Sequence, residues 1–467
     1  MTIAEAWAIG RLDAHAQAER VRSGELPPGA LVEAAIMRIE DADGSLNSLS
    51  STAFDHARRA VSAVDRTTPM AAVPYLLKAS LAYPGFPQTS CSRAKAGVVA
   101  DRAYPIAHRF DEAGLVPVGM STMPETGLLV SCEGLQCGTT LNPWDPAVSA
   151  GGSSTGAAVA VAAGLVPLAH ASDAAGSIRI PSSNCGVVGF KPGRGMNVRA
   201  RAAHLLDDLL CSDAMIARSV RDAAWSARWC RPAEARCRPA DGRRLRIAIA
   251  PEGLAGAADA GVTEVVERTA ALLAELGHDV RPDRPALDRA ALAEALATLW
   301  CYLGGDVTDG VATANPGVPL DGLLEPWTLG LAQRRETIPP QRLADAYAAI
   351  AAFTRASAEF YEGYDVILSP VTRTMPPPLG TLAPTRAFDD LAHAFFDYAS
   401  YTPLQNMSGE PSISLPVHAV SGGLPTGAML SAAPGGDDLL LELAAEIERA
   451  APWSDRWPPA TAAGSPR

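Results

Sequence analysis

The stretch from residue 149 to 192, SAGGSSTGAAVAVAAGLVPLAHASDAAGSIRIPSSNCGVVGFKP, constrains the fold most. Two Gly/Ser loops, at Ser153 and Ser177, stand 24 residues apart and flank an Ala-rich helical segment and a short strand-like run. The same texture begins near residue 73: short apolar runs (VPYLL, AGLVPVG, AGLVPLAHAS) separated by Gly, Ser and Pro clusters. Such runs read as buried strands joined by loops and helices. Further strands are expected in LRIAIAPEG (245–253), YDVILSP (364–370) and PSISLPV (411–417), whereas 262–360 is mostly helical. Strands drawn from distant parts of the chain imply an α/β class: one large α/β/α domain with a mixed central sheet covered by helices.

Residues 1–68 read as a helical segment packed on that core, because Leu31, Ala34, Ile36 and Ile39 recur at near-helical spacing. The domain proper is expected over 69–455, with a catalytic core at about 73–195 and a variable, substrate-side segment at about 255–355. A Pro/Ala-rich tail, 456–467, is expected to fray.

Composition narrows the function. Hydrophobic residues make up 48% and charged ones 19% of the 467, enough apolar surface to exclude a disordered chain. The net charge of −12, without a block of like charges, argues against nucleic-acid or anionic-membrane partners and for a small molecule. The start of the chain lacks a basic segment and an apolar core of a leader, and residues 156–169 are too few to span a bilayer, so a cytoplasmic location is expected. Eight cysteines show no CxxC pair and no Cys/His metal spacing, which reads as reduced thiols with no metal. No organic cofactor is expected, and a homodimer is the default assembly. Among 39 Lys+Arg only Lys78, Lys95 and Lys191 are lysines. A guanidinium cannot deprotonate and act as a base, so each lysine is worth weighing.

Three chemistries compete for the Gly/Ser centre. Gly151 and Gly156 match the glycine spacing of a phosphate loop, but Ala157 and Ala158 stand where that loop needs Lys and Ser/Thr. Gly152 to Gly156 formally satisfies the G-x-S-x-G elbow with Ser154 in the middle. The preceding NPWDPAVSA is no buried strand, and none of His170, His204, His278, His393 or His418 sits in a distinctive setting. The third chemistry needs no histidine. A neutral lysine can deprotonate a serine if burial and neighbouring dipoles bring its pKa from about 10.4 toward neutrality. A second hydroxyl can then carry the proton across the gap. Lys78 ends the apolar run VPYLLK, and Ser153 and Ser177 supply the hydroxyls.

At these residues the sequence resembles the amidase signature family of serine hydrolases, and most closely its branch similar to 6-aminohexanoate cyclic dimer hydrolases. VPYLLKAS, GMSTMPETG, GTTLNPWDP, SDAMIARSVRDAA, YDVILSPVTRTMPPPLG and YTPLQNMSGEPSISLPV carry the likeness over roughly residues 1–250 and 360–450. The resemblance implies the amidase signature fold and hydrolysis of a carboxamide through an acyl-enzyme. It implies Ser177 as nucleophile, Ser153 as bridging serine after a cis peptide, and Lys78 as base. It further implies that backbone N–H groups of Ala174, Ala175 and Gly176 form the oxyanion hole, with Ser154, Asp173 and Arg179 in support. Trp144, Trp300 and Cys301 are candidates to line the substrate pocket. Lys95 reads as a solvated charge, and Lys191 as a packing residue or one that contacts a carbonyl.

The sequence departs from the family pattern at Ala79, at Thr155 and Ala157 in GGSSTGAA, and at Ala174-Ala175. A positive φ at Ala175 would be resisted by its Cβ. Two other functions therefore stay open: transfer of the acyl group to an amine, as in an amidotransferase glutaminase subunit or a biosynthetic enzyme, and a non-catalytic binding protein on the same fold.

Overall fold

The computed structural model describes residues 1–198, 205–239, 241–420 and 423–459. In chain order the strands of the central layer are β1 (Leu49–Thr52), β2 (Pro74–Lys78), β3 (Val116–Ser121), β4 (Leu168–Asp173), β5 (Gly189–Lys191) and β6 (Ser212–Ala217). They are followed by β7 (Arg246–Ile249), β8 (Asp279–Pro282), β9 (Val366–Pro370), β10 (Ser412–Leu415) and β11 (Ala428–Ser431). Five of them run in the order β1-β3-β2-β4-β6, and six in the order β8-β7-β9-β11-β10-β5. The two ladders meet edge to edge. Val188 N–H donates to Ala217 O at 2.8 Å and Ala217 N–H to Val188 O at 3.3 Å, which makes one long mixed layer.

At the centre of the first ladder β2 pairs in parallel with both β3 and β4. Parallel strands need both faces covered, and every residue of PYLLK is accordingly buried. The helix Thr155–Ala162, TGAAVAVA, is buried at all eight positions. Its alanines and single glycine let it lie close to the sheet, with the Gly156 N–H donating to Thr122 O at 3.1 Å.

Every strand expected from an apolar run is present. The structure corrects the N-terminal segment, which is helical apart from β1, an edge strand antiparallel to β3. Its four residues, LSST, are too few and too polar to show a period. The tail is corrected at its start. Trp457 is sandwiched by Arg11 and Arg218, whose guanidinium carbons lie 4.0 and 3.5 Å from its ring centroid, and residues 460–467 lie outside the described residues. Cation–π stacking of this kind holds an otherwise polar end against the domain.

Two apolar cores result. The larger lies on the sheet and takes in the N-terminal helices. A second is built mainly by the helices Arg289–Ala314, Pro326–Glu336, Gln341–Gly363 and Phe388–Tyr398, and it reaches Leu128, Ala175 and Ile180 beside the Gly/Ser loops. Trp300, Trp327 and Phe395 are its aromatic centre.

Gly156 offers a direct test of how tightly the buried helix is seated. A Cβ there would lie 2.1 Å from Ser48 O and 2.4 Å from Thr122 Oγ1, and Thr122 belongs to the chain just after β3. Gly156→Ala should lower the urea midpoint by an amount worth about 1–3 kcal/mol. Gly44→Ala, in the helix Pro28–Leu46 where an added Cβ meets nothing within 4 Å, should instead gain up to about 1 kcal/mol.

Candidate active site

Two parallel strands bring the first residues together. Lys78 is the last residue of β2 and Asp173 the last of β4, so both stand at carboxyl ends of neighbouring strands, the usual place for sites on such sheets. The chain then turns through Ala174-Ala175-Gly176-Ser177 into the helix Arg179–Cys185.

Lys78 is 1% exposed and its ammonium nitrogen is surrounded by oxygen. Nζ lies 2.8 Å from Ser153 Oγ, 2.9 Å from Ser154 Oγ and 3.0 Å from Ser172 Oγ. Ser154 Oγ in turn donates to Ser172 O at 3.2 Å. The Gly152–Ser153 peptide is cis, as the family likeness implies. Ahead of it, buried amides fix the loop: Asn142 and Asn184 both donate to Ser149 O, at 3.2 and 3.1 Å. Ser149 Oγ accepts from the Gly151 N–H at 3.1 Å.

The Asp173 turn is held by one carboxylate. Its oxygens accept from the N–H groups of Gly176 (2.7 Å) and Ile178 (3.0 Å), from Arg179 Nε (3.0 Å) and Nη2 (2.9 Å), and from Asn406 Nδ2 (2.8 Å). Arg179 is fully buried and also donates to Asn406 Oδ1 and Gln405 Oε1, while Thr402 Oγ1 donates to Ala175 O at 2.7 Å. Burial alone would push the Asp173 carboxyl up. The charge and hydrogen bonds of Arg179, with Lys191 and Asn406 behind them, outweigh it and hold the group well below the usual carboxylate range. Lys191 is buried as well. Burial first, then the like charge of Arg179, push it down to about 7 against the pull of Asp173, Asp437 and Glu410. Its Nζ donates to Pro192 O at 2.9 Å, the carbonyl contact expected of it.

This geometry settles the backbone question at Ala175. Positive φ in the turn falls on Gly176, at 121°, and on neither alanine. A Cβ on Gly176 would also lie 2.2 Å from Thr402 Oγ1, so glycine is required there on two grounds. The expectation that Gly176 lends its N–H to an oxyanion is corrected, because that N–H is already donated to Asp173. Among the described residues the N–H groups of Ala174, Ala175 and Ser177 have no protein acceptor.

A cavity of about 330 Å³ opens over the cluster, with Lys78, Ser153 and Ser177 on its floor. The Ser177 hydroxyl faces it and has no hydrogen-bond partner among the described residues. Trp300 lines the wall; Trp144 and Cys301 do not. The Trp144 indole instead donates to Cys185 O at 2.8 Å, and Cys301 packs into the second core, where burial pushes its thiol up to about 11. Ser172, Thr402, Gln405 and Asn406 are site residues that the sequence did not single out. The last three fall within YTPLQNMSGEPSISLPV, a segment that carries the family likeness, but nothing in their spacing reveals a contact more than 200 residues away. Among the described residues no group of three or more His, Cys, Asp or Glu could hold a metal, and no helix is long and apolar enough to cross a membrane.

Comparison with known proteins fits this arrangement. The family model described as Amidase matches residues 30–441. A Mycobacterium tuberculosis protein that carries the name amidase AmiC is 35% identical over 460 residues, 96% of either chain. The 6-aminohexanoate-cyclic-dimer hydrolase of Pseudomonas sp. is 33% identical over 480 residues, again 96% of either chain. A solved structure of a 6-aminohexanoate cyclic dimer hydrolase complexed with substrate superposes with a TM-score of 0.88 at 31% identity, over 97% of this chain and 99% of that one.

The depressed Asp173 carboxyl makes stability pH-dependent with a defined sign. Its contribution is complete above the ordinary aspartate range near pH 4 and is lost as pH falls below that toward the depressed folded value. Asp173→Asn strands the buried Arg179 charge and should cost about 3–5 kcal/mol at pH 7. Urea titrations should show the gap to the wild type closing as pH drops below about 4.

Proposed function

The chain belongs to the amidase signature family, and from that premise we propose that Ser177 is its acyl nucleophile, Ser153 the proton bridge and Lys78 the base. As a family member the protein is an amidase, a hydrolase of carbon–nitrogen bonds other than peptide bonds. The observation that carries the residue assignment is the buried contact of Lys78 Nζ with Ser153 Oγ, 2.8 Å, on the floor of the cavity that Ser177 faces. By likeness to the cyclic dimer hydrolases, the substrate is a small linear or cyclic amide.

The chemistry follows from the placement. Neutral Lys78 accepts the Ser153 hydroxyl proton while Ser153 Oγ accepts that of Ser177, whose oxygen attacks the amide carbon. Their hydrogen bond closes when substrate is bound, as catalytic contacts commonly do. The N–H groups of Ala174 and Ala175 receive the developing oxyanion, donors that are worth about 10²–10³ in rate each. Asp173 positions them through its grip on Gly176 and Ile178. When the tetrahedral intermediate collapses, Ser153 gives its proton to the leaving amine. Water, deprotonated along the same route, then releases the acid.

Lys78→Arg keeps the charge and rough length but removes the base, and should cut turnover about 10²–10⁴-fold, whereas Lys95→Arg should retain it. Mass spectrometry after fluorophosphonate treatment should find the adduct on Ser177 of the folded protein and none in Ser177→Ala. Wild-type-like turnover in Lys78→Arg, or no adduct on Ser177, would overturn the assignment.

A further inference from the structure

We propose that the cavity selects amides whose chain ends in a cation, and that Asp306 at its rim recognises that cation. The inference rests on the catalytic reading above and names the substrate class of the same site. Met123, Leu128, Trp300, Leu303 and Val307 give the cavity an apolar stripe, beside the polar Ser80, Tyr104 and Thr126. Asp306 is the one carboxylate among the described lining residues.

Four of the wall residues come from a single helix, Arg289–Ala314. Trp300, Leu303 and Val307 fall at i, i+3 and i+7 on one stripe, with Asp306 at its edge. The helix is fixed against the site loop at Trp300, which is 2% exposed and whose indole N–H donates to Leu128 O at 2.9 Å. Asp306 lies six residues further, about 9 Å along the helix axis at 1.5 Å per residue, and its side chain is 48% exposed. The wall therefore runs from a buried, apolar end to a carboxylate at the mouth.

The charge of Asp306 is poorly compensated by the protein. Arg335 lies 3.6 Å away, but its closer bonds, at 2.8 and 3.1 Å, go to Asp309. Two carboxylates share one guanidinium, so a net negative charge remains beside the opening. An alkyl chain along the wall would bury its methylenes and bring a terminal ammonium to Asp306, where half-exposure keeps desolvation small. A terminal carboxylate would be repelled, and a methyl would leave the wet aspartate unmatched.

The test is kcat/KM for primary ω-aminoalkanamides of graded chain length against neutral alkanamides with methyl in place of the ammonium. The wild type should prefer the ammonium series, most at one length and less as salt rises. Asp306→Asn should lower that preference about two- to fivefold, and Asp306→Lys should turn it toward ω-carboxylate amides. Equal or better turnover of the neutral series at every length, or a preference that neither substitution moves, would overturn the inference. Fluorophosphonate labelling separates the two levels. An enzyme that labels at Ser177 but hydrolyses neither series defeats the cation inference alone, whereas one that does not label defeats the catalytic reading as well.

Discussion

Burying Asp173 and Arg179 strips both ions of water, and little of the site would stand without what they recover from each other. Each oxygen of the carboxylate is committed: one to Gly176, Arg179 and Asn406, the other to Ile178 and Arg179. A buried ion pair is weak evidence for net stability, because well-packed apolar residues often do as well. What this one supplies is direction. By drawing the Gly176 and Ile178 N–H groups inward it leaves those of Ala174, Ala175 and Ser177 without a protein acceptor among the described residues, so the polarity of the turn is set from beneath. The pair also ties residues 402–406 to the turn at Ser177, which anchors late chain segments to the early sheet.

The Lys78, Ser153 and Ser177 cluster was legible in the sequence for physical reasons particular to its residues. Lys78 ends a run of buried apolar residues, where a lysine is out of place unless it has partners. Ser153 and Ser177 lie in loops whose glycines permit close backbone approach. The strands announced themselves by short β-branched and leucine-rich runs between turn residues. What escaped was whatever depends on contacts distant in sequence. Asn406 reaches Asp173 only because the short helix Pro403–Ser408, just before β10 of the second ladder, lies against the turn at the end of β4. The strand Leu49–Thr52 was hidden because an edge strand of four mostly polar residues exposes one side and has no run to detect.

The two pocket residues that proved misplaced are equally instructive. Cys301 follows Trp300 on one helix, and neighbours there point about 100° apart, so a wall position for the tryptophan puts the cysteine on another face. Trp144 was a pocket candidate although aromatic residues near loops are more often packing residues. Its indole N–H found a backbone carbonyl instead, the ordinary fate of a half-buried tryptophan. The lysine scarcity pointed to three positions with different surroundings. Lys191 is buried and close in energy to losing its proton, yet its partner is a carbonyl and it faces no cavity floor.

The separation of the protein into two cores has a consequence for how such an enzyme diversifies. The sheet core carries the strand that ends at Lys78, while the second core supplies much of the apolar lining of the cavity, so sequence can drift in one with little strain on the other. The two are also tied by polar contacts: Glu125 Oε2 accepts from the Glu325 N–H and from Thr328 Oγ1. Trp300 and Trp327 both donate to the single carbonyl of Leu128, at 2.9 and 3.0 Å. That oxygen, two lone pairs wide, is one place where the helices of the second core and the chain after β3 must stay in step.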